Sequence, residues 1–165
     1  MAGTEVTYVG DRWHQTENLV VIFGKFAWVF AVIGTMLSLF SGITKTQTYN
    51  SLAANPSLQA IASMQIGTIV YDFVSVGVSV VITLAYVIKP FSKHCAAKDW
   101  DALLEDKMFG KFPRMWLMGI LLEVFGSGIG GMGILFPALL LKLNRPDKGR
   151  LLAKEAWSAS LIEDL

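Results

Sequence analysis

Three ionisable side chains, Lys25, Asp72 and Glu123, fall inside or at the edge of long apolar stretches of this sequence. Such groups mark either an ion or proton path or a buried pair, because an isolated charge in an apolar setting is costly. Lys25 and Glu123 enter from the same side. Counted from Asn18 and from Arg114 they lie about 10 and about 13 Å deep at a helical rise of 1.5 Å per residue. A lysine stem spans that difference, so an ion pair between the first and third stretches is open to them. Snorkelling to the headgroups is the other course for Lys25. Asp72 has no cation at matching depth in this reading. It is expected to bond to Ser75 or Thr68, to stay protonated, or to meet a neighbouring subunit.

Cofactor chemistry has little to work with. His14 and His94 are the two histidines, and either could ligate a haem or a chlorophyll. Neither has helical company that suggests a pocket, so both are expected to be interfacial and no cofactor is expected, structural lipids apart. Cys95 beside His94 lacks further ligands for a metal, and a lone cysteine excludes an intrachain disulfide. No nucleophile elbow, phosphate loop or paired-carboxylate arrangement occurs on a soluble element. The expectation is a protein that is not an enzyme.

The elements that position these groups are three helices of membrane-crossing length, expected at about 19–43, 61–88 and 115–143, since a span needs about 20 apolar residues. On the third, Gly119, Glu123, Gly126, Gly130, Gly133 and Pro137 follow at steps of four, three, four, three and four, which places them on one helical face. On the first, Gly24, Ala27, Ala31, Gly34, Ser38 and Ser41 form a second small-residue seam. Small residues in line let backbones approach closely, and this is how helices associate in lipid. On the second, Gln65, Thr68, Asp72, Ser75, Ser79, Thr83 and Tyr86 make a polar stripe that should face protein or water.

Between these spans, 45–57 reads as a nearly neutral loop with a turn at Asn55-Pro56, and Lys89-Pro90 reads as the stop of the second helix. Residues 96–108 and 151–165 read as amphipathic interfacial helices. Gly110 should end the first of these, and Pro113 suits the start of the third span.

Composition agrees with a small polytopic membrane domain over 1–165. Hydrophobic residues make up 53% and charged ones 16%, against about 25% charged in a soluble domain. A net charge of +1 argues against nucleic acid as a partner. The first 18 residues carry three acids against Arg12 alone, unlike a transit peptide, and the apolar run from Leu19 is too long for a secretory signal. Three spans would put eight Lys/Arg on the N-terminal side and six on the other, a slight bias that places the N-terminus in the cytoplasm, matrix or stroma.

The sequence thus leads us to expect an all-α integral membrane protein of an organellar (mitochondrial or thylakoid) or bacterial inner membrane. Its expected role is a non-catalytic accessory subunit of a larger, energy-transducing complex. Its expected partners are other membrane subunits and lipids. The contrasting expectation is a small oligomeric ion or proton transporter or channel built around Asp72 and Glu123.

Overall fold

Apolar runs offer few side chains to satisfy backbone N–H and C=O groups, so these groups bond along helices, and the chain is all-α. The computed structural model describes residues 3–108 and 110–145, with the backbone alone at 3–12 and 14. The tail helix expected at 151–165 lies outside the described residues. Helices α1 (Gly3–Lys25) and α2 (Ala27–Ala53) are separated only by Phe26, whose N–H still reaches the Ile22 carbonyl at 3.1 Å. After a turn at Asn55, α3 (Gln59–Ile82) returns antiparallel to α2. It runs on through a π-helical segment, Thr83–Phe91, into α4 (Ser92–Ala96). The short α5 (Trp100–Glu105) and a minimal hairpin of β1 (Lys107–Met108) and β2 (Phe112–Pro113) lead to α6 (Arg114–Phe125) and α7 (Met132–Asn144).

Five expectations are corrected. The neutral stretch after Lys45 is helix as far as Ala53, because loss of apolar character does not by itself end a helix; the turn waits for Asn55, whose side chain accepts from Ser57 N–H. Lys89-Pro90 does not stop the second helix. Proline lacks an N–H and clashes with the carbonyl four residues back, and the wider π turn absorbs both defects, with Ser92 N–H bonding the Val87 carbonyl. The helix expected at 96–108 is cut to six residues, since Lys98 takes a left-handed conformation (φ 55°) and Asp99 then caps a new start by accepting from Ala102 N–H. Gly110 (φ 71°) therefore turns the β-hairpin instead of ending a helix.

The largest correction concerns 115–143, which is not one helix. Residues 126–131 form a turn containing four glycines, with Ser127 at φ 54° and Gly128 at φ 74°. Helix through them would cost about 1 kcal/mol per glycine. The chain folds back instead. Gly119 lies against Ile134 and Leu135, and Gly131 against the Gly119 carbonyl. The arms of 12 and 13 residues are about 18–20 Å long at 1.5 Å per residue, short of a hydrocarbon core of about 30 Å. Among the described residues two helices are long and apolar enough to cross a membrane, Ala27–Ala53 and the continuous Pro56–Ala96.

Candidate functional site

Asp72 sits on the face of α3 that meets α2, and the antiparallel register sets Ser41 and Lys45, one turn apart, opposite it. Ser41 Oγ donates to Asp72 Oδ2 at 2.7 Å, and Lys45 Nζ forms an ion pair with the same oxygen at 2.7 Å. Gly42 makes room, since a Cβ there would stand 3.3 Å from Asp72 Cβ and 3.4 Å from the Phe73 ring. Asp72 is only 7% exposed. This overturns the expectation that no cation lies at its depth: Lys45 had been placed in a loop, and the continuation of α2 brings it onto the helix face beside Ser41.

Glu123 is satisfied differently. Its Oε2 accepts from Gly131 N–H at 3.2 Å, at the residue that opens α7, where an anion also meets the positive end of the helix dipole. The Lys25–Glu123 pair does not form; Lys25 is exposed and holds no ion pair among the described residues. The fold-back of α7 supplies Glu123 with a backbone donor, so no distant cation is needed.

The turn 126–131 is the point where α2 and α3 meet the hairpin. A helix leaves its last four carbonyls without helical partners, and the end of α6 finds one for each. Gly126 N–H bonds the Leu122 carbonyl at 2.8 Å and Gly128 N–H the Glu123 carbonyl at 2.9 Å. Tyr71 OH from α3 donates to the Val124 carbonyl at 3.0 Å, and Ser38 Oγ from α2 donates to the Phe125 carbonyl at 3.2 Å and pairs with Ser127 Oγ at 2.8 Å. Tyr71 gave no signal in the sequence reading, being outside the polar stripe; only the packing of α6 on α3 finds it.

The small-residue positions occupy this junction. A Cβ on Gly34 would run into the Gly126 carbonyl and stand 2.9 Å from Gly130 Cα, and one on Gly133 would stand 2.6 Å from Ala27 Cα. Ala27, Ala31 and Ser38 are buried on the same side of α2. Gly24 lies apart from this junction, against Cys95 of α4, with its carbonyl accepting from Ser92 Oγ at 3.0 Å. Gly119, Gly126, Gly130 and Gly133 no longer share one face of one helix, because the turn divides them between two arms.

The polar stripe continues inward from Asp72. Ser75, Ser79, Thr83 and Tyr86 are buried, and the hydroxyls of Ser75, Ser79 and Tyr86 have no hydrogen-bond partner among the described residues. Arg114 lies over the Tyr86 ring, 5.4 Å from its centroid. Of the residues weighed for cofactors, His94 Nδ1 is 3.2 Å from Asp99 Oδ2 and Cys95 is fully buried; the His14 side chain lies outside the described residues. Ser127 and Gly128, at the tip of the turn, are exposed. No family model, curated protein or solved structure matches the chain.

Proposed function

We propose that this chain is an integral membrane protein and a non-catalytic accessory subunit of a larger membrane complex. In this reading α2 and the Pro56–Ala96 helix cross the bilayer, while α6 and α7 dip into it and return. The membrane part is supported by which residues face outward. Only 28% of the apolar window of each long helix is buried, whereas a core helix of a soluble protein buries most of its apolar face. Phe40, Met64, Val81 and Leu84 point outward, while Asp72, Ser75, Ser79 and Thr83 point in.

One observation carries the subunit reading: the exposed tip of the α6–α7 turn. Ser38, which holds it, lies 11 residues into α2, or about 17 Å at the helical rise. The tip therefore reaches about the middle of a hydrocarbon core. Non-helical backbone at that depth is tolerated only where protein covers it or water reaches it. Within the chain Asp72 is paired with Lys45 and Glu123 is hydrogen-bonded by Gly131 N–H, so among the described residues neither interior acid stands without a partner. This favours a covering helix of another subunit. Respiratory, ATP-synthase and photosynthetic complexes of organellar or bacterial inner membranes are the first places to seek it.

A specific observation favours a second reading, a small ion or proton transporter. The unpartnered hydroxyls of Ser75, Ser79 and Tyr86 are groups that water could bridge. The two readings separate on one cysteine. In a Cys95→Ser background, Ser127→Cys in native membranes should resist a membrane-impermeant thiol reagent and become reactive once the complex is dissociated. The chain should also migrate with other membrane subunits on a native gel. Ready labelling in the intact membrane, together with migration as a pure homo-oligomer, would establish the transporter reading and end the subunit one.

A further inference from the structure

Because α6 and α7 fold back on each other, the two ends of that hairpin lie at one end of the bundle, and polar contacts gather the rest of the basic chain there. Arg145 Nη2 bonds Asp101 Oδ1 at 2.8 Å, which ties the exit of α7 to α5. Lys98 Nζ and Trp100 Nε1 both bond the Glu17 carboxylate at 3.0 Å, which ties the same connector to α1. Nine of the ten lysines and arginines with described side chains thus stand on the α1 side of the tip held by Ser38, and the tenth, Lys45, lies beyond it and is paired with Asp72. The near-even division expected from three spans disappears.

The carboxylates at this end are already engaged: Glu17 with Lys98, Asp101 with Arg145, Asp106 with Arg114, and Asp99 with His94. Lys25, Lys89, Lys93 and Lys142 are all exposed and hold no ion pair among the described residues. Three of them border outward apolar side chains: Lys25 next to Phe26, Lys89 next to Ile88, and Lys142 next to Leu143. Lys25 and Lys93 also lie at one height on neighbouring rods, since the Gly24 carbonyl accepts from Ser92 Oγ. Ammonium groups at the foot of an apolar wall sit where phospholipid headgroups begin.

We infer that this end faces the anionic leaflet on the cytoplasmic, matrix or stromal side, and that Lys25, Lys89 and Lys93 bind anionic phospholipid headgroups there. The inference rests on the membrane reading above, which carbonate extraction tests separately: a chain released by carbonate would remove that reading whatever the lysines do. For the inference itself, the full chain is reconstituted in nanodiscs of phosphatidylcholine with phosphatidylglycerol, and retained lipid is measured by native mass spectrometry. Each lysine near an anionic surface contributes about fivefold to association. Lys25→Gln/Lys89→Gln/Lys93→Gln should therefore lose at least about tenfold of the phosphatidylglycerol retained. Equal retention by the triple variant, or no preference for phosphatidylglycerol in the parent chain, would overturn it. So would topology: in a Cys95→Ser background, Lys111→Cys and Asn144→Cys should label from one side and Asn55→Cys from the other. Labelling of Asn144→Cys with Asn55→Cys would mean that α6 and α7 cross.

Discussion

In the α2–α3 pair the interior acid, Asp72, is neutralised by a lysine from the facing helix; in the α6–α7 hairpin the interior acid, Glu123, is held by a backbone N–H of its own turn. The first solution needs long helices in fixed register, so that residues 27 apart in sequence meet. The second needs a break in the helix, because only there does a backbone donor become free. The pair packs side by side along its length, with Gly42 against Asp72 and Phe73. The hairpin is joined to it at the tip, where Ser38 and Tyr71 bond the last carbonyls of α6. A charged group in an apolar setting can thus be met by a partner charge or by a helix end. Which one applies depends on whether the helix continues.

The sharpest way to break this contrast is to fill the turn. A side chain at Gly131 would collide with the Gly119 carbonyl and stand 2.8 Å from Glu123 N, and these are backbone atoms that cannot step aside. Gly131→Leu should cost more than about 3 kcal/mol and force the two arms of the hairpin apart, seen as a large fall in apparent Tm in mild detergent. A Tm close to the parent's would mean that the two arms do not pack as described.

Next in size is the ion pair. Lys45→Met leaves the Asp72 carboxylate inside with only Ser41 to bond it. Losing one partner of a buried pair costs roughly 3–5 kcal/mol. Lys45 is itself 39% exposed, so screening lowers the expected loss to about 2–3 kcal/mol. The double change Lys45→Met/Asp72→Asn should recover most of it. A single variant as stable as the parent would show that Asp72 is content without a cation.

Ser38→Ala tests the tip from the side of α2. It removes both hydrogen bonds of the Ser38 hydroxyl, to the Phe125 carbonyl and to Ser127 Oγ, and leaves that carbonyl uncapped, a loss of about 1–2 kcal/mol in chemical unfolding. The smallest effect belongs to Glu123→Gln. The amide oxygen still accepts from Gly131 N–H, so stability should stay within about 0.5 kcal/mol of the parent. If Glu123→Gln proves more damaging than Lys45→Met, the two acids have exchanged roles and the contrast drawn here is reversed.

The seam Gly24 to Ser41 was legible because one residue type recurs at helical steps, and its members from Ala27 to Ser38 do lie on the buried side of α2. The seam from Gly119 to Pro137 was equally regular and misleading. Periodicity says which residues share a face if the helix continues, and the glycines that made the pattern regular also made the helix breakable. Lys45 was invisible as a partner because a residue without apolar neighbours reads as loop, and Tyr71 because its ring belongs to an apolar run.

Sequence alone determined that this chain is helical, that its apolar runs at 19–43 and 61–88 belong to helices of membrane-crossing length, and that Asp72, Ser75, Ser79 and Thr83 point inward. All of these follow from side-chain chemistry repeated along one helix. Tertiary structure decided where the third apolar run bends and which group answers each interior acid. It also decided at which end the basic residues gather. Each of these depends on a contact between distant segments, and glycine permits such a contact without specifying it: with no side chain to oppose approach, a glycine fits a straight helix packed by a partner and a turn packed against its own chain alike.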